Sequence, residues 1–180
     1  TSIVRHTGSS AHPTRQTQPY AHSINLSRDG RYAYVADLGT DRIMVYHYDA
    51  RRGLLAPATP PSADLPPGSG PRHFALHPAL PRTYAINELD NTITTFAREE
   101  TSGALAPHQT VPTLPPGFEG ANTAAEIVIH PSGRFIYGSN RGHDSLAVHA
   151  VNPTDGLLSY VEHIPTGGRT PRNFTLDPTG

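Results

Sequence analysis

Apolar residues fall in short runs that alternate with polar positions. In the first third of the chain these runs are Ile24–Leu26, Tyr32–Ala36 and Arg42–Tyr46, with turns between them. Alternation with a period of two is typical of β-strands that bury one face. Gly53 follows the third run, and glycine permits the positive φ that a hairpin turn needs. The pattern predicts a unit of β-strands whose fourth strand is clearly visible only at Leu158–Ile164.

This strand unit recurs along the chain with a nearly constant spacing. Similar segments begin 50, 53 and 47 residues apart, at Ile24, Phe74, Ile127 and Phe174. The same spacings separate Asp/Asn pairs that we expect to cap turns, namely Asp37 with Asp41, Asn87 with Asn91 and Asn140 with Asp144. Four antiparallel strands with a period of ~40–50 residues are typical of a β-propeller blade.

The predicted fold class is therefore all-β, a partial β-propeller within a single domain. Complete blades are expected at residues 22–70, 72–122 and 125–170, with partial blades at 1–21 and 171–180. Propellers close with about 4–8 blades, and a blade needs a neighbour on each side. The ring would then be completed by a longer chain, which we favour, or by a second copy. Proline-rich runs at 56–67 and 111–120 are predicted to be loops between blades.

Composition narrows the functional classes. Glycine and proline together supply 35 of 180 residues, which disfavours long helices. A net charge of −1 argues against a nucleic-acid partner. There is no cysteine, so disulfides and thiolate chemistry are excluded, and no apolar run reaches the ~18 residues of a membrane span. We expect a cytoplasmic protein without a membrane partner.

Several charged residues are predicted to meet on one face of the propeller. Because strands in a blade alternate in direction, the loop entering the first strand and the loop between the second and third strands share a face. Two arginines and a histidine occupy the same repeat position, just before the first strand of a blade. Other charged residues either lie beside them in sequence or occupy the loop between the second and third strands, at a position where the blades differ. These candidate residues are His22, Arg72, Arg172, His73, Glu126, Glu88 and Arg141.

The chemistry of these residue types indicates an anion-binding site with proton-transfer groups. Arginine donates two parallel N–H groups to a carboxylate or phosphate, and histidine and glutamate can transfer protons near neutral pH. No serine or cysteine lies in a nucleophile motif, so water or a group of the substrate is the expected nucleophile. Eleven histidines show no metal-ligand spacing, and we expect no metal or cofactor. Arg15-Gln16, in a segment rich in proline and serine, either reaches this face or only anchors its loop.

The same motifs carry a family resemblance over residues 15–180. The chain resembles the seven-bladed lactonase family, which includes 6-phosphogluconolactonases and fungal carboxy-cis,cis-muconate cyclases. The matching stretches include Ala36–Arg42, Gly70–Phe74, Asn87–Leu89, Ser139–Gly142 and Pro171–Phe174. The resemblance implies a seven-bladed ring with roughly three blades outside this chain. It places the family's proposed catalytic group on His22, Arg72, Glu88 and Arg172; at Tyr20 the sequence departs from the histidine common in fungal members.

The resemblance implies a metal-independent lactonase acting on a small anionic sugar lactone, with 6-phosphogluconolactone first. Arg72 and Arg172 would bind the anion and the developing oxyanion, and Glu88 or His22 would be the general base. The expected substrate-binding residues are His73, Glu126 and Arg141. Two alternatives stay open: a carboxy-cis,cis-muconate cyclase that uses the same arginines, and a non-catalytic propeller that serves as a binding scaffold.

Overall fold

The predicted repeat is present as three antiparallel sheets in the computed structural model, which describes residues 2–177. Each sheet has four strands hydrogen-bonded in sequence order. The first consists of β1 (Ala21–Leu26), β2 (Tyr32–Asp37), β3 (Arg42–Asp49) and β4 (Leu54–Asp64). The second consists of β5 (Pro71–Leu76), β6 (Arg82–Asn87), β7 (Thr92–Arg98) and β8 (Leu105–Pro112). The third consists of β9 (Thr123–Ile129), β10 (Phe135–Arg141), β11 (Ser145–Val151) and β12 (Leu158–Pro165).

The sheets pack side by side around their first strands. Strand β5 contacts β1 and β2 of the preceding sheet and β9 of the following one. This arrangement confirms the prediction of a partial β-propeller. Within residues 2–177 there is no helix with the length and apolar character needed to cross a membrane.

Two apolar cores hold the three sheets together. Alternation along β2 directs Tyr32, Tyr34 and Ala36 toward the second sheet, where the ring of Tyr34 stacks on Phe74 with centroids 5.3 Å apart. Between the second and third sheets the largest fully buried side chains are Tyr84, Ile86, Ile93 and Ile136. Burial of each such aromatic or aliphatic side chain contributes about 1.5–3 kcal/mol, so these interfaces hold neighbouring blades together.

The outer strands correct the loop prediction for the proline-rich runs. Most of residues 56–67 lies in β4, and the first two residues of 111–120 complete β8. Proline lacks an N–H group and is normally excluded from central strands. Here it lies on the last strand of each sheet, where one edge makes no ladder bonds, so the missing donors cost little.

The terminal segments contain no strand among the residues described. Residues 2–20 run across the first sheet, and residues 166–177 follow β12. The three sheets occupy 21–64, 71–112 and 123–165, and each begins one or two residues before the predicted blade starts at 22, 72 and 125. The partial blades expected at 1–21 and 171–180 stay predictions, and residues 178–180 lie outside the described part.

Gly39, in the turn between β2 and β3, permits the N-terminal segment to approach closely. A Cβ atom at this position would lie 1.9 Å from the carbonyl oxygen of Gln18 and 2.8 Å from the amide of Tyr20. We therefore expect Gly39→Ala to lower the free energy of unfolding by about 1–3 kcal/mol, because backbone must shift. Denaturant unfolding measures the change, and Gly168→Ala, where a Cβ meets open space, is the control. Equal stability of the two variants would contradict this close packing.

Candidate active site

A β-bulge at the start of each first strand positions the site residues. In β1 the register shifts between Ala21 and Ser23, so His22 is the extra residue. In β5 it shifts between Pro71 and His73, so Arg72 is the extra residue. A similar shift in β9 falls at Ala125-Glu126. Bulges turn a side chain away from the regular alternation, and here they place one side chain per blade at the end where the loops meet.

Glu88 is the centre of a buried charge cluster. It follows β6, and its side chain is 3% exposed. One carboxylate oxygen pairs with Nη2 of Arg15. The other lies 2.9 Å from Nε of Arg72 and 2.8 Å from Nη2 of Arg141. Three guanidinium groups therefore surround one carboxylate.

The pKa of Glu88 is lowered by these neighbours. Burial alone would raise it, but the hydrogen bond from Arg15 and the charges of Arg141 and Arg15 outweigh burial. The group is thus held as a carboxylate with both oxygens already engaged. Because guanidinium groups engage both oxygens, the geometry favours Glu88 as an electrostatic anchor over Glu88 as the base.

Arg72 connects Glu88 to the next blade. It is 2% exposed, and its Nη1 donates to the carbonyl oxygen of Ala125 at 2.8 Å and to Nε2 of His73 at 3.2 Å. Burial and the nearby charge of Arg141 lower its pKa, and Glu88 opposes them. Most of this guanidinium is occupied by protein atoms, so its direct role toward a ligand is smaller than its sequence position suggests.

His22 lies beside this cluster on the exposed edge of β1. Packing around the ring and the positive charge of Arg72 lower its pKa to about 4, although Glu88 acts in the opposite direction. The centroid of its ring lies 5.1 Å from the centroid of the His73 ring. The imidazole is therefore neutral at pH 7 and can accept a proton.

His73 and Glu126 form a second pair beside the first. Nδ1 of His73 donates to Oε1 of Glu126 at 2.6 Å, which leaves Nε2 as an acceptor toward Arg72. The same carboxylate accepts the amide of Ile127, and its other oxygen accepts Nδ2 of Asn173. Carboxylates that fix a histidine tautomer in this way orient the ring for hydrogen bonding.

The two remaining predicted arginines differ in availability. Arg141, beside Glu88, also donates to the carbonyl oxygens of Thr123 and Ala124. Arg172 is exposed and makes no hydrogen bond or ion pair within residues 2–177, although its charge reaches Arg72. Arg172 is thus open to a ligand, and Arg141 is held by the protein.

The sequence left the role of Arg15-Gln16 open, and the structure assigns each residue a different one. Gln16 is fully buried and donates from Nε2 to the carbonyl oxygen of Leu38 and to Oδ1 of Asp41, both at 2.8 Å. Arg15 extends toward Glu88. Segment 2–20 has no strand periodicity, so the sequence signals for it are the pair Arg-Gln in a loop and the match of this pair to the family's motifs.

Other histidines lie away from the cluster or serve turns. Nδ1 of His77 accepts the amides of Ala79 and Leu80, and Nδ1 of His130 accepts the amide of Ser132.

In the described part of the chain no three His, Asp or Glu side chains form a group that would hold a metal ion. A cavity of about 310 Å³ adjoins His22, but its walls are mainly apolar, formed by Val4, Ile24, Val35, Tyr46 and Leu55.

This fold is that of a partial β-propeller. The family described as "Lactonase, 7-bladed beta-propeller" matches residues 1–180. The chain belongs to this family, which confirms the resemblance seen in the sequence.

Several relatives and solved structures are similar over nearly the whole chain. A 6-phosphogluconolactonase of Bacillus subtilis is 37% identical over 99% of this chain and 50% of its own length. A protein from Lactobacillus plantarum superposes with a TM-score of 0.92 at 34% identity, covering 99% of this chain and 51% of that one. The periplasmic gluconolactonase PpgL of Pseudomonas aeruginosa has a TM-score of 0.89 at 35% identity, covering 97% and 49%. The chain spans about half the length of these proteins.

Proposed function

We propose that the protein is a lactonase that hydrolyses a sugar lactone, with 6-phosphogluconolactone as the preferred substrate. The observation that carries this proposal is the surplus of arginine around Glu88, next to a histidine held neutral. Relatives named 6-phosphogluconolactonase support the substrate class. Such an assembly attracts an anionic substrate and offers a base for water.

In the proposed mechanism His22 is the general base and accepts a proton from the attacking water. Water adds to the lactone carbonyl, the ring C–O bond of the tetrahedral intermediate breaks, and the proton held by His22 passes to the leaving alkoxide to give the hydroxy acid. The pKa of His22 is low partly because Arg72 is positive. A bound substrate anion would offset that charge and raise the pKa of His22 toward the neutral range, where a general base is most effective.

Arg172 would contact the substrate anion or the developing oxyanion, since it is exposed and free of hydrogen bonds to the described residues. Arg72 would act on it mainly through charge. Glu88 and Arg141 would hold this arrangement, and His73, whose ring nitrogens bond Glu126 and Arg72, would orient Arg72 beside the substrate. No step of this scheme calls for a metal ion, and we propose that the activity is metal-independent. A cytoplasmic location stays a prediction.

The test is hydrolysis by the complete protein, followed by acid release above the spontaneous rate. The substrates are 6-phosphogluconolactone, glucono-1,5-lactone and 3-carboxy-cis,cis-muconate, each with and without EDTA. We expect turnover of the phosphorylated lactone that EDTA does not change. Turnover of the muconate alone would identify a cyclase, inactivity on all three would favour a binding scaffold, and EDTA sensitivity would reject metal independence.

A further inference from the structure

Arg15 is the arginine of the Glu88 cluster that remains accessible. Its side chain is 46% exposed, whereas those of Arg72 and Arg141 are 3% and 13% exposed. Only Nη2 of Arg15 is engaged, and Nε and Nη1 make no hydrogen bond with the described residues. Two N–H-bearing nitrogens of this guanidinium therefore have no hydrogen-bond partner among residues 2–177.

The cluster carries an excess of positive charge. Glu88 gives one negative charge to the three positive charges of Arg15, Arg72 and Arg141, which leaves these four residues with a net charge of +2. Arginines gathered at one spot are typical of phosphate recognition. An ion pair that served only to attach the segment would not need a third guanidinium.

The segment that carries Arg15 is anchored independently of that ion pair. The carboxylate of Asp41 accepts Ser10 Oγ at 2.5 Å and Gln16 Nε2 at 2.8 Å, and Gln16 Oε1 accepts the amide of His12 at 2.9 Å. His6 donates to Asp37 at 2.5 Å. These bonds fix the backbone on both sides of Arg15, so little conformational entropy is lost when the side chain binds a ligand.

We infer that Arg15 binds the phosphate of the substrate and sets the preference of the site for phosphorylated over neutral sugar lactones. The inference rests on the proposed lactonase function and adds a specificity residue to it. Nε and Nη1 each carry hydrogens that can donate to phosphate oxygens, from different sides of the guanidinium plane. A neutral lactone has no such group, so Arg15 contributes to one substrate class only.

The test compares Arg15→Gln with Arg5→Gln, an exposed arginine of the same segment. In the complete protein, kcat/KM is measured for 6-phosphogluconolactone and for glucono-1,5-lactone. We expect Arg15→Gln to lower the ratio of the two values by roughly 10–100-fold, the range for hydrogen bonds to charged groups. Arg15→Lys keeps the charge but loses the planar guanidinium, and we expect its ratio to lie between those of Arg15→Gln and the unaltered protein. Arg5→Gln should leave the ratio within about twofold of the unaltered protein.

Binding of inorganic phosphate, measured by calorimetry, is the second readout and does not depend on turnover. Weaker binding in Arg15→Gln but not in Arg5→Gln supports the inference. Equal losses on both lactones with unchanged phosphate binding would overturn it and leave the lactonase function standing. Inactivity of the unaltered protein on both lactones would overturn the proposed function instead, while the calorimetry would still decide whether Arg15 binds an anion.

Discussion

Glu88→Gln is expected to reduce kcat/KM by at least 100-fold and the free energy of unfolding by about 3–5 kcal/mol, as for buried ion pairs that lose one partner. The amide removes the negative charge that three arginines share. It also turns an NH₂ group toward a guanidinium, so donors face donors. Arg72 and Arg141 remain buried without compensation, and their mutual repulsion should displace them.

The pH dependence of stability provides a second test of this cluster. Because the pKa of Glu88 is lowered from its ordinary value of 4.5, its ion pairs stabilise the fold fully above that value. The contribution is lost as the pH falls through the lower pKa of the folded state. Between pH 5 and 3, about the range where carboxylates titrate, Glu88→Gln should therefore lose less stability than the unaltered protein.

Glu119→Gln is the matched control, since this glutamate is exposed in the loop after β8. We expect it to change neither kcat/KM nor the unfolding midpoint by more than the error of the measurement. If Glu88→Gln behaves like this control, the cluster has no catalytic or stabilising role. A loss of activity without loss of stability would instead indicate that Glu88 acts on the substrate directly.

The repeat predicted both the architecture and the position of the site. Residues before each first strand could be aligned across blades, which singled out His22 and Arg72, and Glu88 stood out because it departs from the repeat. Repetition works as evidence because all blades need the same scaffold, whereas the chemistry does not repeat. The bulges themselves were not predictable, because one extra residue in a strand leaves no signal in the hydrophobic pattern.

Two features depend on contacts that local patterns do not encode. Arg15 and Glu88 are 73 positions apart, and no periodicity links segment 2–20 to the loop after β6. The prolines of β4 make this segment look like a loop in the sequence. The low preference of proline for strands takes no account of whether one edge of the strand makes no hydrogen bonds. In both cases the tertiary structure determines the outcome, so the contact and the strand become visible only in the folded chain.

Arg172 has a repeat position in common with two bulge residues. The sequence aligned it with His22 and Arg72, and those two are bulge residues of strands. Residues around Arg172 form no strand in the described part of the chain, and the side chain is exposed. What makes Arg172 a candidate is therefore its free guanidinium and its charge near Arg72.

His22→Gln is expected to lower kcat/KM on the lactone by roughly 10²–10⁴-fold, the usual contribution of a general base. Glutamine keeps a polar side chain of similar size but cannot take up a proton. His108→Gln, on the exposed outer strand β8, is the control. If His22→Gln retains full activity, the base lies elsewhere, and the His73–Glu126 pair becomes the first candidate.

The pH profile separates this histidine from an ordinary one. kcat/KM reports the ionisation of the free enzyme, and His22 has a pKa of about 4 in the folded protein. Its proton is therefore already absent at pH 5, and no inflection is expected near the ordinary value of 6.5. A profile that is flat from pH 5.5 to 7.5 after subtraction of spontaneous hydrolysis would support the assignment. An inflection near 6.5 that His22→Gln abolishes would keep His22 as the base but contradict the lowering of its pKa by burial and by Arg72. Because folding lowers the pKa of His22, protonation of this residue favours the unfolded chain. Acidification from pH 6.5 toward pH 4 should therefore destabilise His22→Gln less than it destabilises the unaltered protein.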